Sequence, residues 1–177
     1  MKNALTFSLL FVFVFSCSRN DFIDTEINLE TNKESYFLQD EIELKIIIYP
    51  TVEKKTIRFN KNLNNIDILF VPMIDEFVLN EKLKKYFIEG PSLFGDDSEF
   101  IDEFAITKEN PFEKVFYGTI SEAKDKIYFE IPELKVNDKI DKSLIAENPI
   151  ILIKGSCRAV YGSEEKYFEK KIKILIE

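Results

Sequence analysis

Short segments in which apolar and polar residues alternate recur along the sequence, and this period of two constrains the fold more than any other feature. The clearest case is 41–50, Glu-Ile-Glu-Leu-Lys-Ile-Ile-Ile-Tyr-Pro, where Ile42, Leu44, Ile46 and Ile48 fall on one side. Successive side chains of a β-strand point to opposite faces, so such a segment has one face for a core and one for water. The pattern predicts an all-β domain.

Other segments repeat the alternation, with turn residues between them. The further predicted strands are 23–30, 55–59, 66–71, 112–120, 126–131, 150–161 and 167–176. The links 121–125 and 162–166 are of hairpin length, so the strands on either side of each are predicted to be antiparallel. The stretches 80–87 and 98–105 have the apolar spacing of short helical turns. The expected fold is therefore all-β with one or two such turns.

The first sixteen residues, MKNALTFSLLFVFVFS, differ from the rest of the chain. A lysine near the start, an uncharged apolar run and a small serine give the layout of a secretory signal peptide. The run from Ala4 to Ser16 has 13 residues, whereas a membrane-spanning helix needs about 20. We therefore expect a signal peptide over 1–16 and no spanning helix there.

The end of this run, Val14-Phe15-Ser16-Cys17, resembles the lipobox of bacterial lipoproteins, in which an aliphatic residue and two small residues precede a cysteine. Phe15 stands where a small residue is usual. The resemblance implies that Cys17 becomes the mature N-terminus and carries a diacylglycerol on its sulfur and an acyl group on its amine, which together anchor a protein stably in a membrane. The alternative is an ordinary signal peptide cut nearby, with Cys17 incidental.

The lipobox resemblance also implies a cellular location and a domain organisation. Ser18 follows Cys17 where some lipoproteins carry an aspartate that retains them in the inner membrane, so the expected location is the outer membrane, on either of its faces. The predicted organisation is a signal peptide over 1–16, a lipidated N-terminus and short tether over 17–22, and a single β-sandwich domain over 23–177.

A second resemblance concerns the segment 32–44, Asn-Lys-Glu-Ser-Tyr-Phe-Leu-Gln-Asp-Glu-Ile-Glu-Leu. It is similar to the opening of many bacterial immunoglobulin-like domains, which Lys33, Tyr36, Asp40 and the strand at Ile42 match, while Gln39 stands where glycine is usual. The resemblance implies a single immunoglobulin-like antiparallel β-sandwich. It implies no functional site, because this fold supports many unrelated functions.

The charge and the residue types exclude several classes of function. The chain has no histidine, which removes Ser-His-Asp and Cys-His nucleophile systems and histidine-ligated zinc sites. Its formal charge of −8 becomes −9 when the segment containing Lys2 is removed. An acidic domain repels phosphate backbones, so no nucleic-acid partner is predicted, and no motif indicates a cofactor. Calcium binding and carboxylate-based hydrolysis remain open because neither needs imidazole.

The second cysteine, Cys157, lies in a segment whose alternation places it on one face with Ile151, Ile153, Gly155 and Ala159. A thiol among such side chains packs as a small hydrophobe, and burial raises its pKa. We therefore predict a core position for Cys157 rather than a nucleophilic role. With Cys17 lipidated, no disulfide is expected.

The segment 86–112 is the candidate functional face. It contains six aromatic residues and seven acids but only one base, Lys108, and it lies between the clearest strands, so a surface loop is predicted. Apolar anchors within an acidic field suit contact with a basic partner. The candidate contact residues are Phe94, Asp96, Asp97, Phe100 and Asp102. In the alternative, the phenylalanines fold back over the open end of the sandwich and the acids are simply solvated.

The same acids are a weak calcium candidate, since Asp96, Asp97, Glu99 and Asp102 offer oxygen ligands without the spacing of a known calcium loop. The sequence thus favours a membrane-anchored envelope lipoprotein that acts as a non-enzymatic binding or structural module for an envelope protein or glycan. The alternatives are a glycan- or calcium-binding accessory lipoprotein and a carboxylate-based hydrolase.

Overall fold

The structure, a computed structural model of the chain, describes residues 22–61, 63, 65–73, 101–160 and 164–176. These residues form an all-β fold, as the alternation predicts. The strands are β1 (Thr25–Thr31), β2 (Ser35–Phe37), β3 (Glu41–Pro50), β4 (Lys54–Asn60), β5 (Ile66–Pro72), β6 (Ile101–Thr107), β7 (Phe112–Ala123), β8 (Lys126–Ile131), β9 (Val136–Asp141), β10 (Ile150–Arg158) and β11 (Glu165–Leu175). A 3₁₀ turn, Pro132–Leu134, precedes β9, and helix α1, Lys142–Glu147, follows it.

The strands form two sheets and a ribbon. The first sheet has the order β1-β3-β7-β8-β9, the second has the order β2-β11-β10-β5, and β4 pairs with β6 in the ribbon. All pairs are antiparallel except β2 with β11, which is parallel. The β7–β8 and β10–β11 hairpins are confirmed. Strand β1 belongs to the first sheet and β2 to the second, so the chain crosses from one sheet to the other between them.

The inward faces of the two sheets share one hydrophobic core. Ile42, Leu44, Ile46 and Ile48 of β3 are all buried in it, which confirms the face predicted from their spacing. The core placement of Cys157 on β10 is also confirmed, since its side chain has no exposed surface. Burial of these apolar side chains is the dominant stabilising term in such a fold.

Two predictions for the middle of the chain are wrong where the structure describes it. Residues Ile101–Thr107 form strand β6 rather than part of a helical turn over 98–105 or of a surface loop over 86–112. The reason is tertiary: β6 pairs along its whole length with β4, and this pairing directs Ile106 into the core. The first strand also begins later than predicted, at Thr25. The helical turn predicted over 80–87 lies outside the described residues.

The ribbon packs at the end of the sandwich where the described chain begins, which we call the proximal end and define by Phe22, Pro50 and Phe112. Phe59 of β4 contacts the ring of Phe22, with centroids 5.7 Å apart, and Ile57 of β4 is fully buried. The ribbon thereby contributes Ile57 and Phe59 to the core that the two sheets share.

The segment that resembles the opening of immunoglobulin-like domains forms a hydrogen-bonded turn. The hydroxyl of buried Tyr36 donates to Asn32 Oδ1 at 2.6 Å, and Asp40 Oδ2 accepts from the Phe37 N–H at 2.9 Å. Lys33 Nζ lies 3.0 Å from the same carboxylate. The Phe37 N–H, and then Lys33, hold the pKa of Asp40 below its usual value. Gln39 has a positive φ of 74°, the conformation that favours the glycine usual there.

Candidate functional site

Most of the residues proposed from the sequence for function lie outside the described residues. Those outside are Cys17, Phe94, Asp96, Asp97, Glu99 and Phe100. Asp102 is described: it lies on β6 with a half-exposed side chain, and its Oδ1 is 3.6 Å from Lys61 Nζ. An ion pair in this exposed setting contributes little to stability. Asp102 therefore remains accessible on the ribbon surface.

Two other aromatic residues of the 86–112 segment, Phe104 and Phe112, pack back onto the domain. The ring of Phe112 stacks on Phe59 with centroids 4.6 Å apart, and Phe104 meets Phe112 edge to face at 4.9 Å. Such ring pairs stabilise by about 0.5–1.5 kcal/mol beyond their area of burial. For these two residues the geometry is that of the folded-back alternative, in which phenylalanines cover the end of the sandwich.

The described residues contain a cleft where the two sheets come together at one side. Strand β5 is at the edge of the second sheet and β9 is at the edge of the first, and the two edges face each other without pairing as strands. The space between them measures about 400 Å³, within the usual size of small-molecule sites. It is lined by Leu69–Pro72 of β5, Asn137–Asp141 of β9 and Leu144 of α1.

Asp138 is the most unusual side chain of this cleft, because it is a partly buried carboxylate. Its Oδ2 accepts a hydrogen bond of 2.9 Å from the N–H of Phe70, a group on the β5 edge that faces away from β10. Burial raises the pKa of Asp138, and the bond from Phe70 only partly opposes this. A partly desolvated carboxylate interacts more strongly with a hydrogen-bond donor or a cation than an exposed one.

The walls around Asp138 are mixed. Leu69 and Leu144 are partly buried, Val71 is buried, and Lys139 is exposed at the rim. Asp141 at the far end of β9 is already paired with Lys126. Small-ligand sites are usually more apolar than this cleft, but they share with it a concave shape and a few oriented polar groups. Asp138 is the acid of this cleft that a backbone N–H orients.

The sequence itself carries one signal for Asp138. In Val136-Asn137-Asp138-Lys139-Ile140 the alternation places Asp138 on the same face as the two apolar residues. An acid on the apolar face of a strand is unusual, because an unpaired buried charge is costly. With 32 acids in the chain, this one is conspicuous only when 136–141 is recognised as a strand.

Cys157 is not a reactive group in the folded protein. Its thiol is buried, and burial raises its pKa, with smaller contributions from the negative charges of Asp67 and Glu165. The thiolate is the nucleophilic form of cysteine, and this environment suppresses it.

Within the described ranges, no three or more acidic or cysteine side chains are grouped to hold a metal ion. No helix in the described part of the chain is long and apolar enough to cross a membrane. No protein-family model, curated protein or solved structure matches the chain.

Proposed function

We propose that the protein is a lipid-anchored lipoprotein of the bacterial outer membrane whose β-domain is a non-enzymatic binding or structural module. The observation that carries the proposal is the sequence Val14-Phe15-Ser16-Cys17 at the end of an uncharged apolar run. The described domain begins at Phe22, five residues after Cys17. The absence of histidine from the chain supports a non-enzymatic role.

The proposal includes an immunoglobulin-like sandwich for the β-domain. Support comes from the two facing sheets, from the division of β1 and β2 between them, and from the hydrogen-bonded turn formed by Lys33, Tyr36 and Asp40. The constant-type immunoglobulin arrangement has four strands in one sheet and three in the other. Here the first sheet is extended by consecutive strands β7, β8 and β9, so the proposed domain is a variant of that arrangement.

The anchor is tested by replacing Cys17 with alanine in the full chain and fractionating the cells that produce it. We expect the parent protein in the membrane fraction, with an acylated N-terminal Cys17 by mass spectrometry, and the Cys17→Ala protein outside it. Cys157→Ala is the matched control, because it removes the chain's other cysteine and should leave the protein in the membrane. A Cys17→Ala protein that stays in the membrane and keeps an acyl mass would refute the anchor.

A second candidate function is ligand binding in the cleft beside Asp138, as a glycan or calcium accessory protein would require. The observation that favours it is a partly buried carboxylate, oriented by the Phe70 N–H, within a space of about 400 Å³. A thermal-shift screen with calcium and with neutral and amino sugars tests it, because a ligand at 100 times its Kd stabilises by about 2.7 kcal/mol. We expect Asp138→Asn to abolish the shift and Asp102→Asn, on the ribbon, to keep it.

Contact with a basic partner through Phe94, Asp96, Asp97, Phe100 and Asp102 remains a hypothesis for the binding role. Its test is charge reversal at the three aspartates, followed by recovery of partners from cell envelopes. Binding that depends on these charges should weaken and lose its dependence on salt. Unchanged recovery by the triple variant would exclude this contact.

A further inference from the structure

Three large apolar side chains are exposed at the proximal end of the domain. The exposed fractions are 45% for Ile23, 39% for Val52 and 37% for Phe104. Ile23 and Val52 flank the hydrogen bond of 2.8 Å that the Thr51 N–H donates to the Asp24 carbonyl. Phe104 belongs to the same end, because its ring lies 6.2 Å from that of Phe59, which contacts Phe22.

The point where the chain enters the domain is fixed by Phe22. Its side chain is fully buried, its N–H donates to Glu164 Oε2 at 3.1 Å, and its carbonyl accepts from the Thr25 hydroxyl at 2.6 Å. The distance to Cys17 is therefore set by five residues, which span at most roughly 17 Å when fully extended. An acylated Cys17 would hold the proximal end within that distance of the lipid.

The charges at this end do not oppose contact with a membrane. The segments 22–24, 51–55 and 108–111, with Glu164 at the Phe22 N–H, carry four acids and three lysines, whereas the chain after its first sixteen residues has a net charge of −9. A nearly balanced surface avoids most of the repulsion that an anionic leaflet exerts on the acidic remainder.

From the exposed apolar side chains, the short fixed connection and the local charge balance, we propose that the proximal end lies directly on the bilayer, with Ile23 and Val52 at headgroup depth. The proposal rests on the proposed function, because the anchor at Cys17 brings this end to the lipid. Its occupant is the lipid surface, not a protein partner. The domain then has a fixed orientation on the membrane rather than free rotation about its tether.

The test measures the depth of two labelled positions in the full lipidated protein, reconstituted into vesicles of phosphatidylethanolamine and phosphatidylglycerol that contain a nitroxide-headgroup lipid. A fluorophore is attached at Glu53→Cys, beside Val52, or at Ala123→Cys, at the other end of β7. Both parent residues are exposed. The 12 residues of β7 separate Ala123 from the proximal end by roughly 37 Å at about 3.4 Å per residue. Buried Cys157 does not take up the label.

We expect strong quenching at position 53 and several-fold weaker quenching at position 123. The paired substitutions Ile23→Ser and Val52→Ser, at exposed positions, should reduce quenching at 53 several-fold while the protein stays on the vesicles. That variant separates apolar contact from mere tethering.

Equal quenching at 53 with and without the serine substitutions overturns the contact and leaves the anchor intact. Protection of position 53 from aqueous iodide without quenching by the nitroxide lipid also overturns it, because a protein then covers this end. A protein that does not remain with the vesicles, and whose Cys17 carries no acyl mass, overturns the anchor and the contact together.

Discussion

Replacing Gln39 by glycine should stabilise the domain, because Gln39 holds a left-handed backbone conformation with a φ of 74°. That conformation costs an L-residue roughly 1–2 kcal/mol, and glycine avoids this cost. Glycine also loses about 0.4–1 kcal/mol more in backbone entropy on folding. The hydrogen bond of 2.7 Å from the Gln39 N–H to the Ile120 carbonyl does not involve the side chain, so it is retained.

The net expectation for Gln39→Gly is a gain of about 0.5–1 kcal/mol in the free energy of unfolding, measured by urea denaturation with circular dichroism. For a domain of this size the melting temperature should rise by about 1–4 °C. Glu41→Gly is the matched control: it lies two residues away in extended strand β3 and should lose about 0.5–1 kcal/mol. If both glycine variants lose stability alike, the strain at Gln39 is not real and the reasoning fails.

Three further predictions concern Asp138, Cys157 and Gly155. Because the pKa of Asp138 is raised in the folded state, the protonated carboxyl stabilises the fold fully below the ordinary carboxyl pKa, and this contribution is lost as pH rises through the folded pKa. The free energy of unfolding of Asp138→Asn, measured by urea titration, should therefore increase relative to that of the parent from acid to neutral pH. Asp138→Leu leaves the Phe70 N–H without its acceptor and should lower the free energy of unfolding by about 1–3 kcal/mol. Cys157 should react with a maleimide only after unfolding, and fast labelling of the native protein would contradict its burial. In Gly155→Ala the added Cβ would lie 2.3 Å from Cε2 of Phe168 and 2.6 Å from the backbone carbonyl oxygen of Asp67, so thermal melts should show a loss of about 1–3 kcal/mol. A neutral result would contradict this close packing of β10 against β5 and β11.

The sequence predicts those parts of the fold that depend on local pattern. The alternation in 41–50 identifies β3 and its buried face because burial itself selects apolar residues at every second position. The hairpins β7–β8 and β10–β11 are predictable because a short link leaves neighbouring strands few other arrangements. The resemblance of 32–44 to the opening of immunoglobulin-like domains implies that Gln39 stands where glycine is usual, and the positive φ of Gln39 agrees with it.

The remaining parts depend on partners that are distant in the sequence. Strand β6 is mostly exposed, and it is a strand because β4, more than forty residues earlier, pairs with it. Strand β9 has only Val136 and Ile140 as apolar residues and is likewise held by pairing, with β8. Periodicity is a poor guide to these two strands, because each buries a single apolar side chain, Ile106 or Ile140, and cross-strand hydrogen bonds hold the rest of its length.

The candidate site depends in the same way on residues that are distant in the sequence. Asp138 becomes distinctive through the Phe70 N–H, which lies 68 residues away in the sequence. Neither residue type indicates a site alone. The sequence pattern therefore favours the acids from Asp96 to Asp102, which lie close together, over a single acid that only the fold partly buries.

The way in which β5 and β9 face each other indicates what kind of binding the cleft supports. An open strand edge normally invites another strand to pair with it, and natural proteins block such edges with inward-pointing charges and proline. On β5 the outward N–H of Phe70 is taken by Asp138, and Pro72 has no N–H to offer. Strand addition is therefore opposed on this edge, and recognition in the cleft would depend on side chains. The cleft uses the part of β5 from Leu69 to Pro72, whereas Ile66, at the other end of that strand, pairs with Cys157 near the proximal end. A domain that rests on the bilayer by its proximal end would present this opening away from the lipid, where a soluble ligand can reach it.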